Sequence, residues 1–254
     1  MTRTRRSERG STVDDPNLAT ACVQGDAFLQ TMYADSLRAM VDRLRLASVD
    51  AARVVEIGAA GGITKDVFPW IETSDVRTAT GVDRVIAGES LPYGDASLDG
   101  LIAKDALHHI PDPNAHFAEV VRVLKPGARA VYLEPNWNRL SRLIFTRLHP
   151  EPFDPDVASW ARHSTDPMDS NQALAFIIFE RDLASFEREY PALRLVGTEP
   201  CNGLSFLLSG GVHSRTPVPG SVLVRLKRRE DRLPRVLRRT GLNRLIVLER
   251  SGRP

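Results

Sequence analysis

The sequence predicts an α/β protein with a doubly wound, mainly parallel sheet and helices on both of its faces. Three observations carry this. Short apolar, β-branched runs alternate with helical patterns along the chain, as expected for parallel strands buried on both faces. The first such run ends in a glycine-rich turn, RVVEIGAAGG (53–62). The length of 254 residues, with 42% hydrophobic and 26% charged, suits one sizeable core and excludes a fibrous, collagen-like or wholly disordered chain.

Taken in order, residues 1–20 read as a disordered basic tail, because MTRTRRSERGSTVDD lacks the apolar core of a secretory signal. Residues 21–254 then form one domain. Within 26–48, Phe28, Met32, Leu37, Met40, Val41 and Leu44 recur at helical spacing behind Asp26, a suitable N-cap. Residues 53–58 are the first strand and 63–71 a short helix. Residues 73–76 and 82–87 are the second and third strands, and 98–107 is a fourth that runs into a loop. Residues 109–127 form a helix announced by Pro111-Asp112-Pro113 and stopped by Lys125-Pro126-Gly127. ARAVYLEP (128–135), LRLVGTEP (193–200) and NRLIVLER (243–250) bring the strands to seven. Two stretches break the alternation, 136–192 and 201–242, and insertions of this size usually shape substrate specificity.

The net charge is only +2, but it is unevenly spread. Residues 225–254 carry +8 and residues 1–10 carry +3, which leaves −9 for the middle of the chain. The basic, amphipathic stretch 221–241 suits either a peripheral membrane contact or packing on its own domain with arginine stems along the surface. Two cysteines, Cys22 and Cys201, are too few for a disulfide framework and point to a reduced, cytoplasmic setting. No apolar run approaches the ~20 residues of a membrane span.

The glycines at 58, 61 and 62 do not fit the dinucleotide register G-x-G-x-x-G, and no phosphate-loop lysine follows them. Taken alone they are as consistent with a plain turn as with a ligand site. The turn and its sequel, LPYGDASLDGLIAKDALHHIPDPNAHFAEVVRVLKPGARAVYLEP (91–135), together resemble the class I S-adenosylmethionine-dependent methyltransferases of the small-molecule branch. The elements that carry the resemblance are Leu91-Pro92-Tyr93, Asp95–Asp99, His108-His109-Ile110 and Arg122–Gly127. The resemblance implies a Rossmann-like sheet with an antiparallel last strand, S-adenosylmethionine as cofactor, and a set of roles.

Under it, Gly58, Ala59, Ala60 and Gly62 pack against the cofactor's methionine and ribose, and Glu56 meets its amino group. Asp75 takes the ribose hydroxyls, with Asp83 as the rival. Gly88, Glu89 and Ser90 form the turn beside adenine, and Lys104 belongs to the same pocket. Ala60 stands where glycine is common, which is tolerable if its φ is negative.

Methyl transfer from a sulfonium needs positioning and desolvation more than a dedicated acid or base. An oxygen acceptor does benefit from a base. His109, after the fourth strand, and His149, in the first insertion, are the candidate catalytic residues, with structural packing as the alternative for each. No metal is expected, since the histidines, cysteines and acids show no ligand spacing. The acceptor is a small molecule, a glycan or a lipid-linked compound. Nucleic acid is not expected, because Glu134-Pro135-Asn136-Trp137 stands where a base-methylation motif would be. Two other readings are a different chemistry on the same fold, and a degenerate relative that acts as an interaction module. The oligomeric state is left open.

Overall fold

In the computed structural model, the residues described are 15–254 apart from 148, 150, 165, 167, 213–215, 234–240 and 253–254. The part of the basic tail before Asp15, and the segment 234–240 of the basic stretch, thus lie outside them. Seven strands form one sheet: β1 (Val54–Ile57), β2 (Glu72–Asp75), β3 (Arg84–Val85), β4 (Leu98–Lys104), β5 (Leu124–Pro135), β6 (Leu193–Cys201) and β7 (Asn243–Arg250). Their order is β3-β2-β1-β4-β5-β7-β6. The pairs from β3 to β5 are parallel, while β7 runs antiparallel to both β5 and β6. The antiparallel last strand is therefore as expected, and it lies inside the sheet with β6 at the edge.

The strand residues alternate between two cores, as the two-residue period of a strand requires. Val54, Ile102, Val131, Leu133, Leu245 and Val247 face α2 (Ala27–Leu44), where they meet Leu37, Met40 and Leu44. Val55, Leu101, Ala130, Tyr132, Ile246 and Leu248 face the other way. There they meet Phe117 and Val120 of α4 (Pro113–Val123) and Phe186 of α7 (Leu183–Glu189). The rings of Phe117 and Phe186 lie 5.1 Å apart and nearly perpendicular. Each such ring contributes on the order of 2–3 kcal/mol through burial. Asp26 caps α2 by accepting from the amides of Phe28 and Leu29, and Asp112 caps α4 in the same way.

A helical layer closes over the carboxyl ends of β1 and β4. It consists of α1 (Pro16–Gln24), α8 (Leu204–Ser209) and α9 (Gly220–Asp231), held by a cluster of Val23, Phe28, Leu29, Met32 and Leu223. Lys227 of α9 is buried and pairs with Asp35 of α2 at 2.8 Å and with Asp231 at 2.7 Å. In the structure this part of the basic stretch packs on its own domain. The remaining helices are α3 (Thr64–Val67), α5 (Arg139–Arg147) and α6 (Leu174–Phe176), the last continuing as a wide turn to Arg181. Among the described residues no helix is long and apolar enough to cross a membrane.

Three boundaries depart from the sequence reading. Pro16–Thr20, expected in the tail, belong to α1, because Asp15 caps it and Pro16 occupies its first turn. The helix expected over 63–71 shrinks to one turn. The helix expected to run to Gly127 stops at Val123, and the chain enters β5 at Leu124. Leu98 pairs with Leu124 and Gly100 with Arg129, so Lys125–Ala128 form a bulge in which Gly127 has a φ of 82°.

Candidate active site

A cavity of about 750 Å³ opens at the carboxyl ends of β1, β2 and β4, where open α/β sheets bind their ligands. Glu56 forms part of its floor. It is 3% exposed, and its Oε2 has no hydrogen-bond partner among the described residues. Burial pushes its pKa up to about 7, against the lowering effect of a hydrogen bond from Thr64 and of the Lys104 charge. An unpaired buried carboxylate oxygen at a cavity wall is expensive unless a cationic group completes it.

After β1 the backbone turns through left-handed conformations at Gly58 (φ 72°), Ala60 (φ 49°) and Gly62 (φ 78°). A Cβ on Gly58 would lie 2.4 Å from Ala106 Cβ, so glycine lets the loop after β4 close on the turn. The condition of a negative φ at Ala60 is not met. The amide of Ala60 donates to Asp75 Oδ2 at 2.9 Å, which fixes the alanine in place. Asp75 Oδ1 accepts from the amide of Arg77 at 2.9 Å and from its Nε at 3.2 Å.

Asp83, the rival of Asp75, points elsewhere. It accepts from the Thr73 amide at 2.9 Å and pairs with Lys65 at 2.5 Å, tying β2 to the start of β3 away from the cavity. Of the other residues expected at the cofactor, Gly58, Ala59, Ala60, Gly88, Glu89 and Lys104 border the cavity. Gly62 and Ser90 do not. The backbone of Gly62 abuts Gly81, and a Cβ there would lie 2.2 Å from the Gly81 carbonyl oxygen.

The Gly88 turn is fixed from below by His116. Burial lowers the pKa of this histidine to about 4, so it is neutral, donates from Nδ1 to the Gly88 carbonyl at 2.8 Å and accepts from the Tyr132 hydroxyl at 2.9 Å. The Lys104 side chain, 10% exposed, stays charged. Burial works against its charge, yet the Asp105 carboxylate and Tyr33 outweigh it and raise the pKa above the ordinary lysine range. Its Nζ also lies 4.0 Å from the centre of the Tyr33 ring.

The same cavity continues past these groups to His108, His109, His149 and Glu151, walled by the apolar Ile144, Phe145, Phe206 and Leu207. Glu134, at the end of β5, is fully buried and organises the loop after β4. It accepts from the amides of Ala106 (3.1 Å) and Leu107 (2.8 Å) and faces His108 Nδ1 at 2.5 Å. Because a carboxylate only accepts, Nδ1 carries the proton. Burial opposes a charge on His108, but Glu134 and Glu151 outweigh it and push its pKa up to about 10.

His109 behaves oppositely. Burial, followed by the neighbouring His108 charge, lowers its pKa to about 3. Its Nδ1 is buried without a partner among the described residues, and its Nε2 lies 3.7 Å from Glu151 Oε2. His149 Nδ1 accepts the Glu151 amide at 3.3 Å, and its ring lies 5.5 Å from that of Phe145. The fold thus brings both expected histidines to one end of the cavity.

The sequence reading missed Glu134 and Gln172. A glutamate at the end of the otherwise apolar run AVYLEP was the signal for the first. Nothing in the sequence signals Gln172, which meets the site from 64 residues away.

Residues 71–132 match the family model described as the methyltransferase domain. The match is to methyltransferases. A stretch of 52 residues is 42% identical to an uncharacterized 37.1 kDa protein in a transposon of Streptomyces fradiae, covering 20% of this chain and 15% of that protein. Another of 78 residues is 35% identical to an O-methyltransferase of Penicillium expansum, covering 31% and 25% respectively. The matched stretches therefore span a quarter or less of these curated relatives. Among solved structures, a geranyl diphosphate methyltransferase in complex with S-adenosylmethionine superimposes with a TM-score of 0.50 at 12% identity, over 96% of this chain and 93% of that one. The fold is the Rossmann-like one that the resemblance implied.

Proposed function

We propose that this chain is a cytoplasmic methyltransferase that uses S-adenosylmethionine to methylate a small, largely apolar acceptor. The observation that carries the proposal is the pair formed by Glu56 and Asp75. They stand at the ends of neighbouring strands on one cavity, and Glu56 has an oxygen without a partner. S-adenosylmethionine supplies a sulfonium-bound methyl group when bound. Glu56 would hold its ammonium, Asp75 its ribose hydroxyls, and the amides and carbonyls of 58–60 and 88–89 its flanks. Asp75 already accepts from the Ala60 amide and from the Arg77 amide and Nε, which leaves about one of its four lone pairs for a hydroxyl donor, and a second would be freed if the Arg77 side chain turned away.

On the acceptor side, His109 and His149 would position the acceptor, while Ile144, Phe145, Phe206 and Leu207 exclude water. For a lipid-linked acceptor, the outward Arg225, Arg228, Arg229 and Arg232 of the α9 region would face an anionic membrane surface.

Calorimetry with S-adenosylhomocysteine tests the cofactor half. Binding by the wild type, and at least tenfold weaker binding by Asp75→Ala, is the expected result. A wild type that binds neither S-adenosylhomocysteine nor S-adenosylmethionine would overturn the proposal.

A further inference from the structure

His108, His109 and Glu151 come from two separate parts of the chain, yet one nitrogen or oxygen of each lies within 4.8 Å of the others. Glu151 Oε2 stands 3.5 Å from His108 Nε2 and 3.7 Å from His109 Nε2. Two donors held about 2.1 Å from one ion at octahedral to tetrahedral angles lie roughly 3.0–3.4 Å apart, so the Glu151 contacts need a shift of only a few tenths of an ångström, while the two histidine donors, within 4.8 Å of each other, must close by up to about 1.5 Å. We propose that His108, His109 and Glu151 form a site for a divalent transition-metal ion at the acceptor end of the cavity.

Three further observations support it. His108 donates its Nδ1 proton to Glu134, the carboxylate–histidine arrangement that fixes a metal-binding imidazole, and a bound ion would take the place of the proton on Nε2. Glu151 is oriented in turn by Ser170, whose hydroxyl donates to Oε2 at 2.8 Å. The Nε2 of Gln172 contacts both Glu151 Oε2 and His108 Nε2, the latter at 3.2 Å, so one amide group now occupies the point where these two side chains converge. Rotation of that amide would present its oxygen as a fourth donor.

Two carboxylates, Glu134 and Glu151, meet in this buried region. Among the described residues, their ion-pair partners are the two histidines alone. A dication that displaces the Nε2 proton of His108 answers that charge. The donor set of two imidazoles and one carboxylate suits zinc, cobalt or iron(II) rather than calcium or magnesium. Its open positions face the cavity, where they would take an oxygen donor of the acceptor.

The inference rests on the methyltransferase reading only in that the metal would engage the acceptor. His109 then serves as a ligand rather than a base. The test uses tag-free protein stripped with a chelator and titrated with Co²⁺, read by visible absorption and by metal content after desalting. The wild type should take up one ion per chain, and His109→Ala and Glu151→Gln should each bind at least tenfold more weakly while keeping the wild-type circular dichroism and S-adenosylhomocysteine affinity. Cobalt or zinc uptake that is absent from the wild type, or equal in the folded variants, would overturn the site. Metal uptake without S-adenosylhomocysteine binding would instead overturn the methyltransferase reading and leave the site standing.

Discussion

Asp75 and Ala60 are joined by a 2.9 Å hydrogen bond from the alanine amide to the carboxylate, and that bond spans a backbone held at a φ of 49°. A side chain in this region costs about 1–2 kcal/mol relative to its preferred conformations. The bond fixes the position at which Asp75 presents its remaining lone pairs to the cavity.

Ala60→Gly should therefore stabilise the protein. Glycine relieves the strain but loses some of the gain to its freer unfolded chain, leaving about 0.5–1 kcal/mol. Thermal unfolding should shift upward by roughly 1–4 °C. A lower melting temperature would show that the alanine is not strained.

Gly58→Ala should act in the opposite sense, because the added carbon meets Ala106 Cβ at 2.4 Å in a turn with φ 72°. A loss of about 2–4 kcal/mol is expected from the combined strain and overpacking. Adding Ala106→Gly should recover the packing share and leave the backbone share, which a double-mutant cycle in urea would separate.

Glu56 makes stability depend on pH. Its folded pKa, about 7, lies above the ordinary 4.5, so the folded protein keeps a proton that the unfolded chain has already lost. Stability should fall as pH rises from about 4.5 to 7, by on the order of 3 kcal/mol, and stay level above that. Glu56→Gln should abolish this slope.

The same carboxyl group should report cofactor binding. An ammonium beside it favours the charged form, so binding at pH 6 should release close to one proton and binding at pH 8.5 none. Calorimetry in buffers of different ionisation enthalpy measures this directly. A release that persists in Glu56→Gln would assign the proton to another group.

Membrane contact by α9 is testable separately. Cosedimentation with phosphatidylglycerol vesicles should weaken at least severalfold in Arg228→Glu/Arg229→Glu, two exposed positions, without a change in melting temperature. Equal binding by the double variant would remove α9 from the interaction.

The sheet was legible in the sequence because most of its strands are short apolar runs punctuated by glycine and proline, β2 (Glu72–Asp75) being the polar exception. The cap at Asp26 was visible for the same local reason. What depends on distant contacts was not. The early stop of α4 follows from the pairing of Leu98 with Leu124, and α1 draws its stability from the cluster it shares with α2 and α9. At the site, Glu56 and Asp75, expected from the resemblance, both border the cavity. The meeting of His108 with Glu151 and Gln172 could not be read from the sequence, since it depends on how the first insertion folds back over the loop after β4.

The place of β7 bears on the order of assembly. Among the described residues β6 pairs only with β7, and β7 in turn pairs with β5. During synthesis β6 leaves the ribosome some forty residues before its partner and must wait without a neighbour. Only when β7 slots between them do two ladders form together, and the same step carries Leu242 and Asn243 to the cavity wall. The pocket's last wall and the sheet's last two strands thus mature in one event, so a chain halted before β7 would lack both.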